Sequence, residues 1–168
     1  MAMVPDQAHR RVLFLCTGNY YRSRFAELYF NHLAESRGLP WRAESRGLAT
    51  ETNHLLPGVI SPLTCAALAA RGVALPGQHR DPIAACASDF AGGFARVIAL
   101  KETEHRPLMA SRFPEHESSV EYWEVHDIHD APADETIAEL ERRVRRLVDE
   151  LTVASERNPT CDPARPDP

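Results

Sequence analysis

Apolar and aromatic residues are concentrated in three short stretches of the 168-residue chain, at residues 12–15, 94–100 and 119–123. Short runs of this kind are typical of β-strands, and the runs at residues 12–15 and 94–100 have the composition of buried strands. A further strand is predicted at residues 41–45, between two segments with a helical pattern. The pattern therefore predicts four strands.

Segments with helical spacing lie between these strands. Apolar residues recur every three or four positions from Phe25 onward, and Gly38 ends this predicted helix. Ser61 is a suitable N-cap and Pro62 a suitable first helical residue, so a second helix is predicted over residues 63–71.

Two more helices are predicted in the second half of the chain. Residues 102–112 form one, interrupted or bent around Pro107. Residues 133–154 form the other, with an apolar stripe made of Ile137, Leu140, Val144, Leu147 and Leu151. Such a stripe suits either a coiled-coil seam or a helix that packs back onto a sheet, and we favour the sheet.

Strands that alternate with helices predict right-handed crossovers and a parallel sheet. We predict an α/β fold with a single three-layer α/β/α domain at residues 10–156 and a four-stranded parallel sheet. Residues 1–9 are predicted to be a flexible leader. Residues 157–168 contain four prolines and are predicted to be a disordered tail. The length suits one domain rather than two.

Composition narrows the function classes. The net charge of −5 gives no electrostatic case for nucleic-acid binding. No apolar run approaches the ~20 residues that a membrane helix needs, and residues 1–11 do not resemble a signal peptide. Four cysteines in a chain of this length do not form a disulfide pattern, so a cytoplasmic location is expected.

The loop after the first strand carries the candidate chemistry. Cys16 lies where the strand should end, and Gly18 and Asn19 are residue types that readily adopt positive φ. A curled loop that leads into a helix directs backbone N–H groups into one hollow, where the helix dipole adds positive character. The sequence therefore predicts a phosphate-binding loop, with Cys16 at its floor and Arg22 at its rim.

Cysteine and arginine at this spacing suit phosphoryl transfer. A thiol beside a helix N-terminus and a guanidinium ionises readily and is a good nucleophile. The fork of Arg22 can bind two phosphoryl oxygens, and Ser23 can donate a hydrogen bond to the departing thiolate. The alternative is that Cys16 is a small buried apolar residue in an ordinary strand–helix turn. The preceding strand, the Gly-Asn pair and the following helix favour the functional interpretation.

The stretch from Cys16 to Glu27 resembles the signature of the low-molecular-weight protein tyrosine phosphatases. That family reads Cys-x-Gly-Asn-x-Cys-Arg-Ser-Pro-x-Ala-Glu, whereas this chain has Tyr21 for the second cysteine and Arg24 for the proline. The resemblance implies a cysteine-dependent phosphatase without a cofactor. Its loop would bind the phosphate of a phosphorylated protein or small phosphomonoester, or a free phosphate or sulfate ion. The implied binding residues are Thr17, Gly18, Asn19, Tyr20, Tyr21 and Ser23.

The same resemblance implies a general acid after the fourth strand. The family has an Asp-Pro pair on this loop, and Asp127 matches its aspartate best, although Ile128 stands in place of the proline. Asp130 is the second choice. Either carboxylate is alternatively a solvated loop residue or a cap for the last helix. Aromatic walls for a phosphotyrosine ring are missing after Asp127, and Tyr20 or Tyr21 can supply one.

Other functions remain open from the sequence. A metal hydrolase would use His126, Asp127, His129 and Asp130, completed by His105 or His116. Arsenate reduction on the same fold needs two further cysteines soon after the third strand, and none lies between Cys86 and Cys161. A binding module that holds phosphorylated ligands without turnover is a third alternative. Phosphoarginine is a possible substrate because Thr17 occurs in that subfamily, as well as in tyrosine-directed members.

Overall fold

The computed structural model describes residues 10–157. Strands and helices alternate along the chain. The strands are β1 (Arg11–Cys16), β2 (Arg42–Gly47), β3 (Arg96–Ala99) and β4 (Glu121–Tyr122). The α-helices are α1 (Arg22–Ser36), α2 (Pro62–Ala70), α3 (Glu102–Arg112) and α4 (Ala133–Arg157). Short 3-10 helices at Thr50–Leu55, Ala87–Phe90 and Glu117–Ser119 lie in the connections. The predicted leader, and the predicted tail beyond Arg157, lie outside the described residues.

The four strands form one parallel sheet in the order β2-β1-β3-β4. Leu15 of β1 pairs with Arg46 on one side and Ala99 on the other. The chain thus leaves β1 first to one side and later to the other, which makes its carboxyl end a topological switch point, where ligands bind in such folds. The predicted parallel sheet is confirmed, and Cys16 ends its central strand.

Side chains of β1 alternate between the two faces of the sheet. Val12 and Phe14 join the larger apolar cluster, which contains buried residues of α1 and α4. Leu13 and Leu15 join the smaller one, which includes Met109 of α3. Helices therefore cover both faces, as the three-layer prediction requires. The apolar stripe of α4 is buried within the larger cluster, so this helix packs back onto the domain as predicted.

Several boundaries differ from the predicted ones. Helix α1 begins at Arg22, so the arginine of the loop belongs to the first helical turn. Strand β4 has only two residues, because the chain before it forms the 3-10 helix Glu117–Ser119. Of the two predicted effects of Pro107, an interruption or a bend, the interruption is wrong, since α3 continues through this residue. Proline has no N–H to donate to the carbonyl four residues earlier in a helix. Here that carbonyl belongs to Thr103, which is exposed.

No helix within residues 10–157 is both long enough and apolar enough to span a membrane.

Candidate active site

The loop between β1 and α1 has a tightly constrained backbone. Asn19 is the one non-glycine residue among those described with positive φ, at 52°. Gly18 cannot be replaced without displacing Asn53, because a Cβ there would lie 2.3 Å from the Asn53 Oδ1 atom. The Asn53 amide also donates a hydrogen bond of 2.6 Å to the Gly18 carbonyl. Gly47 lies against the loop from β2, and a Cβ there would lie 2.9 Å from the Thr17 carbonyl oxygen.

The Asn19 side chain is fully buried and faces away from the loop hollow. Its amide nitrogen donates to Ser23 Oγ (2.9 Å) and Ser45 Oγ (2.8 Å). Its carbonyl oxygen accepts from Arg80 Nη1 (2.9 Å) and from the Ile83 backbone N–H (3.0 Å). All four bonds that an amide side chain commonly makes are present. Asn19, predicted to contact the ligand, therefore shapes the loop through its side chain.

Arg80 connects this network to helix α1. Its guanidinium contacts Asn19, Ser45 and the Glu27 carboxylate, which lies 3.1 Å from Nη2. Burial lowers the pKa of Arg80, with the Glu27 charge acting in the opposite direction. Arg80 lies in the long connection between α2 and β3, and no local sequence pattern predicted this role.

Cys16 lies at the floor of the loop with 3% of its surface exposed. Its Sγ atom is 2.8 Å from Ser23 Oγ and accepts a 3.3 Å hydrogen bond from the Asn19 backbone N–H. Because Ser23 Oγ already accepts from the Asn19 amide, its own proton is free to point at the sulfur. Two donors therefore face the Cys16 sulfur atom.

Arg22 is buried, with only 2% of its surface exposed, so its predicted place at the rim is wrong. It forms part of the cavity wall instead, because the first turn of α1 carries it inward. Nη1 donates to the Val125 carbonyl (3.1 Å), and Nη2 lies 2.8 Å from Glu104 Oε1 and 3.4 Å from Asp127 Oδ2. Burial acts to lower the pKa of Arg22, but the nearby Cys16, Glu104 and Asp127 raise it overall. The side chain is a permanent, fixed cation.

Glu104 is a site residue that the sequence analysis missed. Its Oε1 atom accepts hydrogen bonds from Arg22 (2.8 Å) and from the Thr17 hydroxyl (2.5 Å), so one carboxylate connects both ends of the loop. Burial alone would raise the pKa of Glu104, yet the neighbouring donors hold it well below its usual range. A signal existed in the topology: Glu104 lies in the first turn after β3, and β3 is adjacent to β1.

His105 lies behind Glu104 and is fully buried. Its Nδ1 atom accepts from the Lys101 backbone N–H (2.9 Å), which places the proton of the neutral ring on Nε2. Nε2 lies 3.5 Å from Glu104 Oε1, too far or too poorly aligned for a regular hydrogen bond. Burial lowers the pKa of His105, so the ring is neutral at pH 7 and places no charge beside Glu104.

The two candidate acids have different surroundings. Asp127 lines the same cavity as Cys16, and its Oδ1 atom accepts a hydrogen bond of 2.7 Å from the Ile128 backbone N–H. Asp130 instead forms an ion pair with Lys101, 2.5 Å from Nζ, and this contact lowers the pKa of Asp130. Asp127 also lies near a cation, 3.4 Å from Arg22 Nη2, so what separates the two carboxyl groups is that only Asp127 is part of the cavity lining. The geometry favours Asp127.

The cavity above Cys16 has a volume of about 420 Å³. Its lining comprises Cys16, Thr17, Gly18, Tyr20, Tyr21, Arg22, Thr52, Asn53, Leu55, Leu56, Ser61, Leu63, Asp127, Ile128 and His129. Tyr20 and Tyr21 are largely buried, and the Tyr20 hydroxyl donates to the Pro57 carbonyl (2.7 Å). Burial, followed by the Asp127 charge, raises the pKa of Tyr21 to about 12. Both rings are therefore neutral walls.

The proposed metal ligands are not brought together. Over residues 10–157, no group of three or more His, Cys, Asp or Glu side chains is arranged to hold a metal ion. Asp127 faces Arg22, Asp130 pairs with Lys101, and buried His105 contacts the Lys101 backbone. The alternative of a metal hydrolase therefore lacks its ligand set in the part of the chain described.

A parallel α/β domain with a Cys-x5-Arg-Ser loop after its central strand defines a class of phosphate-binding hydrolases. Within it, the chain belongs to the low molecular weight phosphotyrosine protein phosphatase family, whose model matches residues 11–157. It is accordingly a phosphatase-family protein, as the signature predicted. A search of curated proteins returned no match.

Three solved structures illustrate the likeness. A YwlE mutant from Bacillus subtilis is 25% identical over 84% of this chain and 98% of its own, with a TM-score of 0.68. A low molecular weight protein tyrosine phosphatase from Bacillus subtilis is 26% identical (84% and 97% covered, TM-score 0.64). A YwlE arginine phosphatase whose active-site cysteine was changed to a phosphorylated serine is 25% identical (84% and 95%, TM-score 0.66).

Proposed function

We propose that this protein is a cysteine-dependent phosphatase that hydrolyses phosphomonoesters, with protein phosphotyrosine as substrate, through a cysteinyl-phosphate intermediate. One observation carries the proposal: Cys16, Arg22 and Asp127 line a single cavity at the carboxyl end of the central strand. A nucleophile, an oxyanion partner and a proton donor are the groups that this reaction needs.

In the first step, the Cys16 thiolate attacks phosphorus, a sulfur–phosphorus bond forms, and the bond to the leaving oxygen breaks. Asp127, in its protonated form, gives its proton to that oxygen. In the second step, water attacks phosphorus, the sulfur–phosphorus bond breaks, and Asp127 takes the proton from the water. Ser23 stabilises the released thiolate through its 2.8 Å contact with Sγ.

The remaining loop residues bind the phosphoryl group in this scheme. Arg22 and the backbone N–H groups of the loop hold the equatorial oxygens. Because the loop is already fixed, these donors need no further reorganisation when negative charge develops on the oxygens. Thr17, Gly18, Tyr20 and Tyr21 form the nearest walls. Asn19 contributes through its backbone and through the loop shape that its side chain maintains.

Phosphotyrosine is favoured over phosphoarginine by the charges in the cavity. A guanidinium group on the substrate would call for carboxylates, and Asp127 is the single carboxylate among the described lining residues. The neutral rings of Tyr20 and Tyr21 and the apolar rim suit an aryl ester. Phosphoarginine is the second candidate, because one of the similar structures, 25% identical to this chain, is a YwlE arginine phosphatase. Comparing kcat/KM on a phosphotyrosine peptide and on its phosphoarginine counterpart decides between them.

The functional test is the Cys16→Ser variant. It should lose hydrolysis of a small aryl phosphate while it still binds vanadate or phosphate, because the loop and Arg22 stay in place. Retained turnover would contradict the cysteine mechanism. Binding by the wild type without any turnover would instead support a non-catalytic binding module.

A reducing compartment such as the cytoplasm fits this chemistry. Cys16, Cys65 and Cys86 are free thiols in the structure, and the nucleophile works only in its reduced form.

A further inference from the structure

Exposed apolar side chains are concentrated around the candidate active site. Six large apolar residues are exposed in the described part of the chain, and four of them line the cavity above Cys16. These four are Leu55, Leu56, Leu63 and Ile128, which we call the apolar rim. Leu55 is 84% exposed and Ile128 is 46% exposed. Exposed apolar side chains gathered around one cavity are a feature of interaction sites.

The rim is assembled from three separate parts of the chain. Leu55 and Leu56 lie at the end of the 3-10 helix Thr50–Leu55, Leu63 lies in the first turn of α2, and Ile128 follows Asp127. The rim therefore borders the cavity from several sides rather than forming one amphipathic helix face. A polypeptide whose phosphorylated side chain enters the cavity would therefore lie close to these apolar side chains.

We propose that the apolar rim binds apolar side chains next to the phosphorylated residue of a peptide substrate. This inference rests on the proposed function and names its substrate class. A side chain as exposed as Leu55 lies at the outer edge of the cavity, beyond the part that the phosphorylated side chain fills. Its contacts are then made with neighbouring residues of the bound chain.

The charges in the cavity lining argue against an anionic membrane as the partner of this surface. An anionic membrane would require surface Lys or Arg around the rim. The one Lys or Arg among the cavity-lining residues is Arg22, which is buried and paired. The Asp127 carboxylate in the cavity lining, together with the net charge of −5, also disfavours acidic neighbours in the peptide. A phosphopeptide with aliphatic neighbours fits best.

The test compares two phosphotyrosine peptides that differ only in having leucine or serine on both sides of the phosphotyrosine. Wild type is expected to prefer the leucine peptide in kcat/KM by about tenfold, the effect of removing one or two aliphatic side chains from water. Leu55→Ser should reduce that ratio to about two- or threefold. Val153→Ser is the matched control, because Val153 is 45% exposed on α4, outside the cavity lining, and its ratio should match wild type.

A second readout separates this inference from the proposed function. The dissociation constants of both peptides are measured with the Cys16→Ser protein, which needs no turnover. Hydrolysis with a ratio near one in both readouts overturns the apolar rim as a docking surface. No hydrolysis with a leucine preference in binding overturns the phosphatase proposal and supports the rim. Self-association of the wild type that Leu55→Ser abolishes, with a ratio near one, overturns the inference in favour of a second copy as partner.

Discussion

At the scale of single residues, the site depends on how Arg22 is held. A bidentate guanidinium can bind phosphoryl oxygens only if its plane is fixed, and here Val125, Glu104 and Asp127 fix it. Because the guanidinium is buried, its charge interacts with protein carboxylates and with the substrate rather than with water. Arg22 and Glu104 therefore make separate, testable contributions.

Arg22→Lys should lower kcat/KM for a small aryl phosphate by at least about 10²-fold, because an ammonium group cannot reproduce the planar fork. The measurement is steady-state kinetics at a temperature where a thermal melt shows the variant to be folded. Near-normal kinetics would mean that the guanidinium does not contact the phosphoryl group.

Glu104→Gln should lower the free energy of unfolding at pH 7 by about 1–3 kcal/mol, since it weakens charge-assisted hydrogen bonds. The pKa of Glu104 is lower in the folded chain than in the unfolded one. Its ionised form therefore stabilises the fold above the unfolded pKa, and this stabilisation disappears as the pH falls toward the folded pKa.

The difference between wild type and Glu104→Gln in urea unfolding should consequently shrink from pH 7 to pH 3. A matched control is Glu102→Gln, at an exposed position of the same helical turn that contacts Arg106. A wild-type advantage that grows on acidification would contradict the assigned role of the Glu104 charge.

At the scale of elements, the connection between β4 and α4 carries the proposed acid, Asp127. Its backbone turns at Asp127, whose carbonyl accepts from the N–H groups of Asp130 and Ala131. Thr136 of α4 ties the start of this loop by donating to the His126 carbonyl (3.0 Å). Lys101, next to α3, holds Asp130 from the other side. The loop thus directs one carboxylate into the cavity and pairs the other outside it.

Asp127→Asn should slow hydrolysis of phenyl phosphate by about 10²–10⁴-fold, the usual contribution of a general acid. Esters with good leaving groups should lose less, because they need less protonation. The basic limb of the pH–rate profile for the phenyl ester should also flatten. Leaving-group dependence is measured over a series of aryl phosphates.

Asp130→Asn is the control for this loop, since it removes the ion pair with Lys101 but leaves Asp127 in place. A leaving-group-dependent loss in Asp130→Asn alone would exchange the two roles. If neither variant showed one, the binding-module alternative would gain support.

At the scale of the whole molecule, the sheet order gathers the site from distant parts of the chain. Placing β1 between β2 and β3 brings Cys16, Arg80, Glu104 and Asp127 around one strand end. The apolar clusters on both faces of β1 hold that strand, and therefore the loop, in place.

The same topology explains what the sequence could predict. Cys16, Gly18, Asn19 and Arg22 share one strand–loop–helix unit, so local patterns were enough to identify them. Glu104 lies 82 residues from its partner Arg22 and carried no local pattern. Its contribution depends on which strands are neighbours.

Boundaries were harder to predict than element types. Strand β4 was predicted too long, because apolar composition does not show where pairing stops. A long helix with a regular stripe, such as α4, was predicted well because burial of that stripe requires one orientation.

The most direct test of the central claim is to detect the phosphorylated thiol. Wild-type protein is mixed with an aryl phosphate, quenched in acid during turnover, digested and analysed by mass spectrometry. The account predicts one phosphoryl group on the peptide that contains Cys16, at an occupancy that rises and falls with substrate consumption. Sustained turnover by the wild type without any phosphate on Cys16 would contradict the account. Unchanged turnover in the Cys16→Ser variant would contradict it as well.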